Sequence, residues 1–127
     1  METWRPIKDF EGFYEVSDLG RIRSIPRRKT SGGMLSLIPH HKGYLCVNLS
    51  KNGIRKRKQV AVLVAEAFIP NPLNKPIANH IKGKEKHNNC IDNLEWATIA
   101  ENTQHAFDTG LIQGHKTRPR DVQGKFL

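Results

Sequence analysis

The residues best suited to chemistry in this sequence lie in one polar stretch from Asn79 to Asn102, which reads NHIKGKEKHNNCIDNLEWATIAEN. The stretch is rich in side-chain amides and imidazoles and contains little apolar material. Such groups are poor core residues, because burying them costs free energy unless they are hydrogen-bonded. The imidazole of His80 titrates near neutral pH, so it can accept a proton from water. We therefore regard this stretch as the candidate site.

Two short strands and a loop are predicted to position these side chains. Residues 76–80 form an extended run that His80 closes, and residues 81–92 form a polar loop with Gly83 as its turn residue. Residues 94–97 then predict a second strand that carries Trp96, and Asn93 stands at its entrance. Leu94 and Trp96 are predicted to be core residues.

A helix is predicted to follow the second strand. Thr98 is a good N-cap, and Glu101 three residues later completes a capping box, so the helix should begin near Ile99. Asn102 then lies in its first turn. The helix should end near residue 109, with Gly110 just beyond it.

The order strand, loop, strand, helix resembles the ββα-metal core of the HNH nucleases, and particularly that of phage and intron homing endonucleases. The residues that carry this resemblance are Asn79-His80, Gly83, Asn88-Asn89, Asn93-Leu94-Glu95-Trp96 and Glu101-Asn102.

The resemblance implies a role for each polar residue of the motif. His80 would be the general base, Asn93 would tie the loop together and keep the base oriented, and Asn102 would give an oxygen ligand to one divalent ion, Mg²⁺ or Mn²⁺. Asn79 stands where many relatives have a metal-binding aspartate. An amide is a weaker ligand than a carboxylate for a hard cation, so the ion is expected to bind weakly without DNA.

Other polar residues near the motif are secondary candidates. His87 lies in the loop and could contact phosphate, although a solvated loop histidine is the more common case. His105 follows Asn102 by three positions on nearly the same helix face, so it could approach the metal or the leaving group. Lys82 and Lys84 are predicted to contact DNA phosphates.

Composition favours a polyanionic partner. The chain has 127 residues, with 21 lysines and arginines against 12 acidic residues and a formal net charge of +9. Charge alone would fit DNA, RNA or an acidic membrane surface. Cys46 and Cys90 lie far apart and form no CxxC pair, so neither a structural zinc nor a disulfide framework is expected. No apolar segment is long enough for a membrane span, and we expect a soluble, cytoplasmic monomer.

The N-terminal region predicts short strands joined by tight turns. Asp18-Leu19-Gly20 is a turn signal between residues 14–16 and 21–25, and the second of these alternates basic with apolar residues. The region resembles the N-terminal module of phage homing endonucleases, which implies a small β module that grips DNA. The residues predicted to contact phosphates there are Arg21, Arg23, Arg27 and Arg28. The aromatic residues Trp4, Phe10, Phe13 and Tyr14 are expected to be core residues rather than to stack on bases.

A second β unit is predicted around Asn52-Gly53, a strong hairpin signal between residues 44–50 and 54–60. Its second arm carries a run of four cations that alternation divides between both faces, and we expect them to contact DNA: Arg55, Lys56, Arg57 and Lys58. Residues 34–39 predict one further short strand. His40 and His41 would point to opposite faces, which argues against joint metal binding.

The most apolar window, residues 60–69, predicts a buried helix that ends before Pro70. Homing endonucleases usually have a His-Arg pair where this chain has Ala61-Val62, so part of the family's interface is altered here.

The sequence thus predicts an α+β fold with a β-rich DNA-binding module at 1–59, an HNH ββα-metal core at 60–110 and a basic tail at 111–127. The leading functional hypothesis is a metal-dependent endonuclease acting on double-stranded DNA. A DNA-binding protein of the same fold without cleavage is the alternative. A basic RNA-binding or structural protein would leave the motif unexplained.

Overall fold

The computed structural model describes residues 1–28 and 30–108, and its α+β architecture confirms the predicted fold class. The predicted helix end near Gly110 and the basic tail at 111–127 lie outside the described residues. In chain order the elements are β1 Trp4–Pro6, β2 Tyr14–Ser17, β3 Ile22–Ser24, β4 Gly33–Met34, β5 Ile38–Pro39, β6 Leu45–Lys51, β7 Ile54–Gln59, α1 Val60–Phe68, β8 Ile77–His80, a 3-10 turn Ile91–Asn93, β9 Leu94–Ala97 and α2 Ile99–Asp108.

The first sheet is antiparallel with strand order β1-β2-β3-β4. Its β2–β3 turn is held by Ser17, whose Oγ accepts hydrogen bonds from the backbone N–H groups of Leu19 and Arg21 at 3.2 and 3.1 Å. Gly20 in this turn has φ +87°, a left-handed conformation that glycine adopts without a Cβ penalty. The turn is therefore well defined by local interactions.

The second sheet has strand order β5-β6-β7, and its β6–β7 hairpin is confirmed as predicted. Asn52 and Gly53 have φ of +53° and +80°, as a two-residue turn with both central residues left-handed requires. The single strand predicted over residues 34–39 is wrong. Gly33–Met34 pairs with the first sheet and Ile38–Pro39 with the second, because a chain that crosses between two sheets cannot keep one hydrogen-bond ladder.

Helix α1 lies at the centre of the molecule. Its buried residues are Val60, Ala61, Leu63, Val64 and Ala65. All of them except Ala65 form one hydrophobic cluster with buried residues of both sheets and of β9. Full burial of a side chain such as Leu63 or Val64 contributes roughly 1.5–3 kcal/mol. A single core therefore joins the N-terminal strands to the segment that carries the candidate site.

The β8–β9 hairpin and α2 form the predicted strand, loop, strand, helix unit. The capping box is present, since Thr98 Oγ1 accepts from the Glu101 N–H at 3.1 Å and Glu101 Oε1 accepts from the Thr98 N–H at 2.9 Å. Leu94 is buried as predicted, whereas Trp96 is half-buried and its indole N–H donates to the Ile69 carbonyl at 2.9 Å. Neither helix in the described part of the chain is long and apolar enough to cross a membrane.

Candidate functional site

His80 ends β8 with its ring half-buried and one nitrogen already engaged. Its Nε2 lies 2.8 Å from Asn89 Oδ1. An amide oxygen can only accept, so in this arrangement Nε2 carries the proton of the neutral ring and Nδ1 keeps the lone pair. The hydrogen bond therefore orients the imidazole with one nitrogen available to take a proton.

The surroundings of His80 favour its neutral form. Burial lowers the pKa of His80 most strongly, and the nearby Lys86 and His87 lower it further. The hydrogen bond to Asn89 raises the pKa and only partly opposes these effects. The net result is a pKa below the usual histidine value, so the ring is predominantly neutral at neutral pH.

Asn89 is the residue that sequence reasoning missed. The sequence assigns the Asn88-Asn89 pair to the motif, but nothing in the spacing indicates that Asn89 contacts His80. Asn89 is only 3% exposed, and its Nδ2 is buried without a hydrogen-bond partner in the described residues. Its position therefore depends on packing and on the single side-chain hydrogen bond to His80.

Asn93 fastens the loop between β8 and β9, which is the structural part of the role implied for it. Its Oδ1 accepts from the Lys82 N–H at 2.8 Å, and its Nδ2 donates to the carbonyls of Asn88 at 2.8 Å and Glu85 at 3.3 Å. The side chain is 2% exposed. Asn93 thus joins both ends of the loop that delivers Asn89 to His80.

Helix α2 packs beside the end of β8. His105 Nε2 lies 2.9 Å from the backbone oxygen of His80, to which it donates. This contact uses one ring nitrogen of His105 to dock the helix, so a role at the metal or leaving group stays a prediction. Asn102 lies one turn earlier on nearly the same helix face, and it is half-buried.

The predicted metal ligands offer amide oxygens. Asn79 is buried, and its Nδ2 donates to Glu95 Oε2 at 3.0 Å, which leaves Oδ1 for another partner. The described residues hold no group of three or more His, Cys, Asp or Glu side chains able to bind a metal. Amide oxygens are better ligands for a hard cation that also binds phosphate oxygens than for zinc.

An open, basic groove of about 650 Å³ adjoins the loop. It lies between the β5–β6 turn and the β8–β9 loop, which are joined by a hydrogen bond of 3.0 Å from Lys86 Nζ to the Lys42 carbonyl. His87 is exposed within it, as expected for a solvated loop histidine. The residues lining the groove are Lys42, Gly43, Lys84, Glu85, Lys86, His87 and Asn88.

The predicted DNA-contacting arginines of the first sheet differ in their availability. Arg21 pairs with Glu2 and lowers the pKa of that carboxyl to about 2. Arg23 Nε donates to Glu15 at 2.8 Å, and its guanidinium lies 4.0 Å from the centre of the Trp4 ring. Both charges are thus partly neutralised within the protein, and their contact with DNA stays a prediction.

The remaining predicted DNA contacts show the same contrast. Arg27 donates to the Ile25 carbonyl at 3.1 Å and contacts the Phe13 and Tyr14 rings, whereas Arg28 is exposed. Lys82 and Lys84 in the loop are exposed as well. On β7, Arg55, Lys56 and Arg57 are exposed and Lys58 is half-buried. The edge strand β7 is therefore the most available basic surface among the predicted contacts.

Comparison with known proteins agrees with this geometry. The NUMOD4 motif matches residues 2–50. The DNA endonuclease I-HmuI of Bacillus phage SP01 is 34% identical over 115 residues, which cover 91% of this chain and 63% of that protein. A solved structure described as DNA binding and cleavage by the HNH homing endonuclease I-HmuI superposes with a TM-score of 0.75 at 31% identity, covering 88% of this chain and 62% of the other. The chain belongs to the HNH homing endonuclease family.

Two further relatives support this HNH assignment. Both are uncharacterized HNH endonucleases of Acanthamoeba polyphaga mimivirus. One is 36% identical over 129 residues, covering 100% of this chain, and the other is 40% identical over 116 residues, covering 87%. This HNH chain spans 37% and 27% of the length of these two relatives.

Proposed function

We propose that this chain is a metal-dependent DNA endonuclease in which His80 is the general base. The observation that carries the proposal is the hydrogen bond between His80 Nε2 and Asn89 Oδ1, which leaves Nδ1 free to accept a proton. The family to which the chain belongs and the described DNA cleavage by I-HmuI support DNA as the substrate.

Hydrolysis of a phosphodiester requires removal of a proton from the attacking water. His80 Nδ1 accepts this proton, and the resulting imidazolium is stabilised by Asn89 Oδ1, which continues to accept from Nε2. The half-burial of the ring keeps it neutral before reaction. A divalent ion such as Mg²⁺ or Mn²⁺, held by oxygens of Asn102 and Asn79 together with the phosphate, would supply positive charge beside the scissile group.

Cleavage of supercoiled plasmid in the presence of Mg²⁺ or Mn²⁺ tests the role of His80. We expect His80→Ala to lower the cleavage rate by about 10²- to 10⁴-fold, the usual contribution of general acid–base catalysis, with little change in DNA affinity. His41→Ala is the matched control, because His41 is an exposed histidine outside the loop. A His80→Ala protein that folds and cuts at the wild-type rate would exclude this mechanism.

DNA binding is proposed to use the basic strand β7 and the groove beside the loop. Replacing a phosphate-contacting cation lowers the slope of log K against log salt by about 0.9 per contact. Arg55→Glu should show a reduction of this order on duplex DNA, whereas Lys8→Glu, an equal charge change at an exposed site bordering a different cleft, should not. Equal slopes for both variants would remove β7 from the interface. Binding of a matched RNA duplex under the same conditions would show whether the protein discriminates DNA from RNA.

A protein that binds DNA without cutting it is the second candidate, and Asn79 is the observation that favours it. The amide replaces the carboxylate found in many relatives, and its Nδ2 is engaged by Glu95. The two candidates differ in one result. If wild-type protein and His80→Ala both bind duplex DNA and neither cuts it with Mg²⁺ or Mn²⁺, the binding function replaces the enzymatic one.

A further inference from the structure

The β2–β3 turn of the N-terminal sheet lies directly against the residue that holds His80. A Cβ built on Gly20 would lie 2.9 Å from Asn89 Cβ and 3.2 Å from the backbone carbon and oxygen of Asn89. An ordinary van der Waals contact for such an atom begins at 3.4 Å. Gly20 and Asn89 are therefore in contact so close that a side chain larger than hydrogen cannot fit between them.

Two more contacts attach the same turn to the loop. The Ile91 N–H donates to the Asp18 carbonyl at 2.9 Å, and Cys90 Sγ lies 3.7 Å from the Leu19 carbonyl. The turn is itself held rigidly, because Ser17 is fully buried and its Oγ accepts two backbone hydrogen bonds. Three consecutive residues of the N-terminal turn thus contact the three residues that begin with Asn89.

Asn89 needs this support. Its Nδ2 is buried without a hydrogen-bond partner in the described residues, so only the contact with His80 fixes the amide by hydrogen bonding. A buried amide that is satisfied on one side only is held in place mainly by its neighbours. Gly20 and the adjoining backbone are the neighbours contributed by the N-terminal sheet.

We propose that Gly20 is a positioning residue for His80, acting through Asn89, so that the N-terminal sheet is part of the catalytic apparatus. This inference rests on the proposed role of His80 as general base. A methyl group at Gly20 would displace Asn89 by roughly half an ångström, the difference between the 2.9 Å separation and ordinary contact. Displacements of this order change the geometry on which proton transfer depends.

Gly20→Ala and Gly12→Ala form a matched pair that separates this contact from backbone strain. The two glycines have φ of +87° and +83°, so alanine meets the same conformational penalty at both positions. A Cβ at Gly12 would have no neighbour within 4 Å. Any difference between the two variants therefore reports the contact with Asn89.

The primary measurement is the Nε2-bound proton of His80 in ¹H–¹⁵N NMR spectra, recorded above the pH range in which the ring titrates. A hydrogen bond slows exchange of this proton with water, so the resonance should be visible in wild type and Gly12→Ala and absent in His80→Ala, which assigns it. We expect it to be lost or strongly broadened in Gly20→Ala. Where a cleaved substrate is found, the rate for Gly20→Ala should fall by about tenfold or more relative to Gly12→Ala, with duplex affinity within about twofold.

If Gly20→Ala does not fold, Ser17→Ala provides a second perturbation, because it loosens the turn without adding an atom near Asn89. Retention of the protected resonance in either folded variant overturns the proposal, as does its equal loss in Gly12→Ala. These outcomes are independent of catalysis. Failure of the endonuclease proposal itself would instead appear as unchanged cleavage by His80→Ala.

Discussion

The stability of the loop that carries Asn89 should depend strongly on the side chain of Asn93. Asn93→Ala removes the three hydrogen bonds that its amide makes to Lys82, Glu85 and Asn88. At about 0.5–1.5 kcal/mol for each bond, and with water able to reach part of this exposed loop, the expected loss of unfolding free energy is about 2–3 kcal/mol. Urea unfolding followed by tryptophan fluorescence measures this change.

Asn48→Ala is the control, because the Asn48 side chain accepts one exposed hydrogen bond, from Arg57 Nε at 3.2 Å. Its loss should cost less than about 0.5 kcal/mol. Amide hydrogen exchange gives a local test, since the Lys82 N–H should lose protection in Asn93→Ala only. Wild-type protection of that amide in Asn93→Ala, or equal destabilisation by the two variants, would refute the assigned role.

Three further predictions concern interactions elsewhere in the fold. Tyr14→Phe should lower the unfolding free energy by about 1 kcal/mol, because the buried hydroxyl accepts from the Ser50 N–H at 3.0 Å and links the two sheets; urea unfolding that is unchanged would contradict this. Thr98→Ala should cost about 1 kcal/mol and reduce exchange protection in the first turn of α2, because it removes half of the capping box, and undiminished protection would count against it. Glu2→Gln should destabilise the protein above pH 4.5, and this effect should disappear as the pH falls toward 2. The pKa of Glu2 is lowered from 4.5 to about 2 in the folded protein, and its ion pair stabilises the fold only while the carboxylate is charged. A stability difference from wild type that persists unchanged at acid pH would refute this prediction.

Local signals explain the parts of the fold that the sequence predicts well. The Asn52-Gly53 turn and the Thr98–Glu101 capping box each involve residues within a few positions of one another, so their geometry follows from local chemistry. The order of His80, Asn93 and Asn102 along the chain resembles the motif of the HNH family, and the comparisons confirm the family. The roles of these three residues stay predictions.

Contacts between distant residues explain what the sequence leaves undetermined. Gly20 and Asn89 are 69 positions apart, and no local pattern indicates that they meet. The acidic partner of Arg21 is also distant, because Glu2 lies 19 positions earlier in the chain, and the charge of Arg21 alone predicts that it is free to bind phosphate. The split of residues 34–39 between two sheets also depends on tertiary pairing, because either half alone resembles a strand.

The basic edge strand β7 has a consequence for the protein in the absence of nucleic acid. Within the described residues no further strand pairs with its outer side, and an open edge can recruit a strand from another molecule and start aggregation. Repulsion between neighbouring cations opposes such strand addition. Neutral apolar substitutions on β7 should therefore lower the solubility of the protein. Reversing the charges on β7 should not, because like charges on two β7 edges still repel each other.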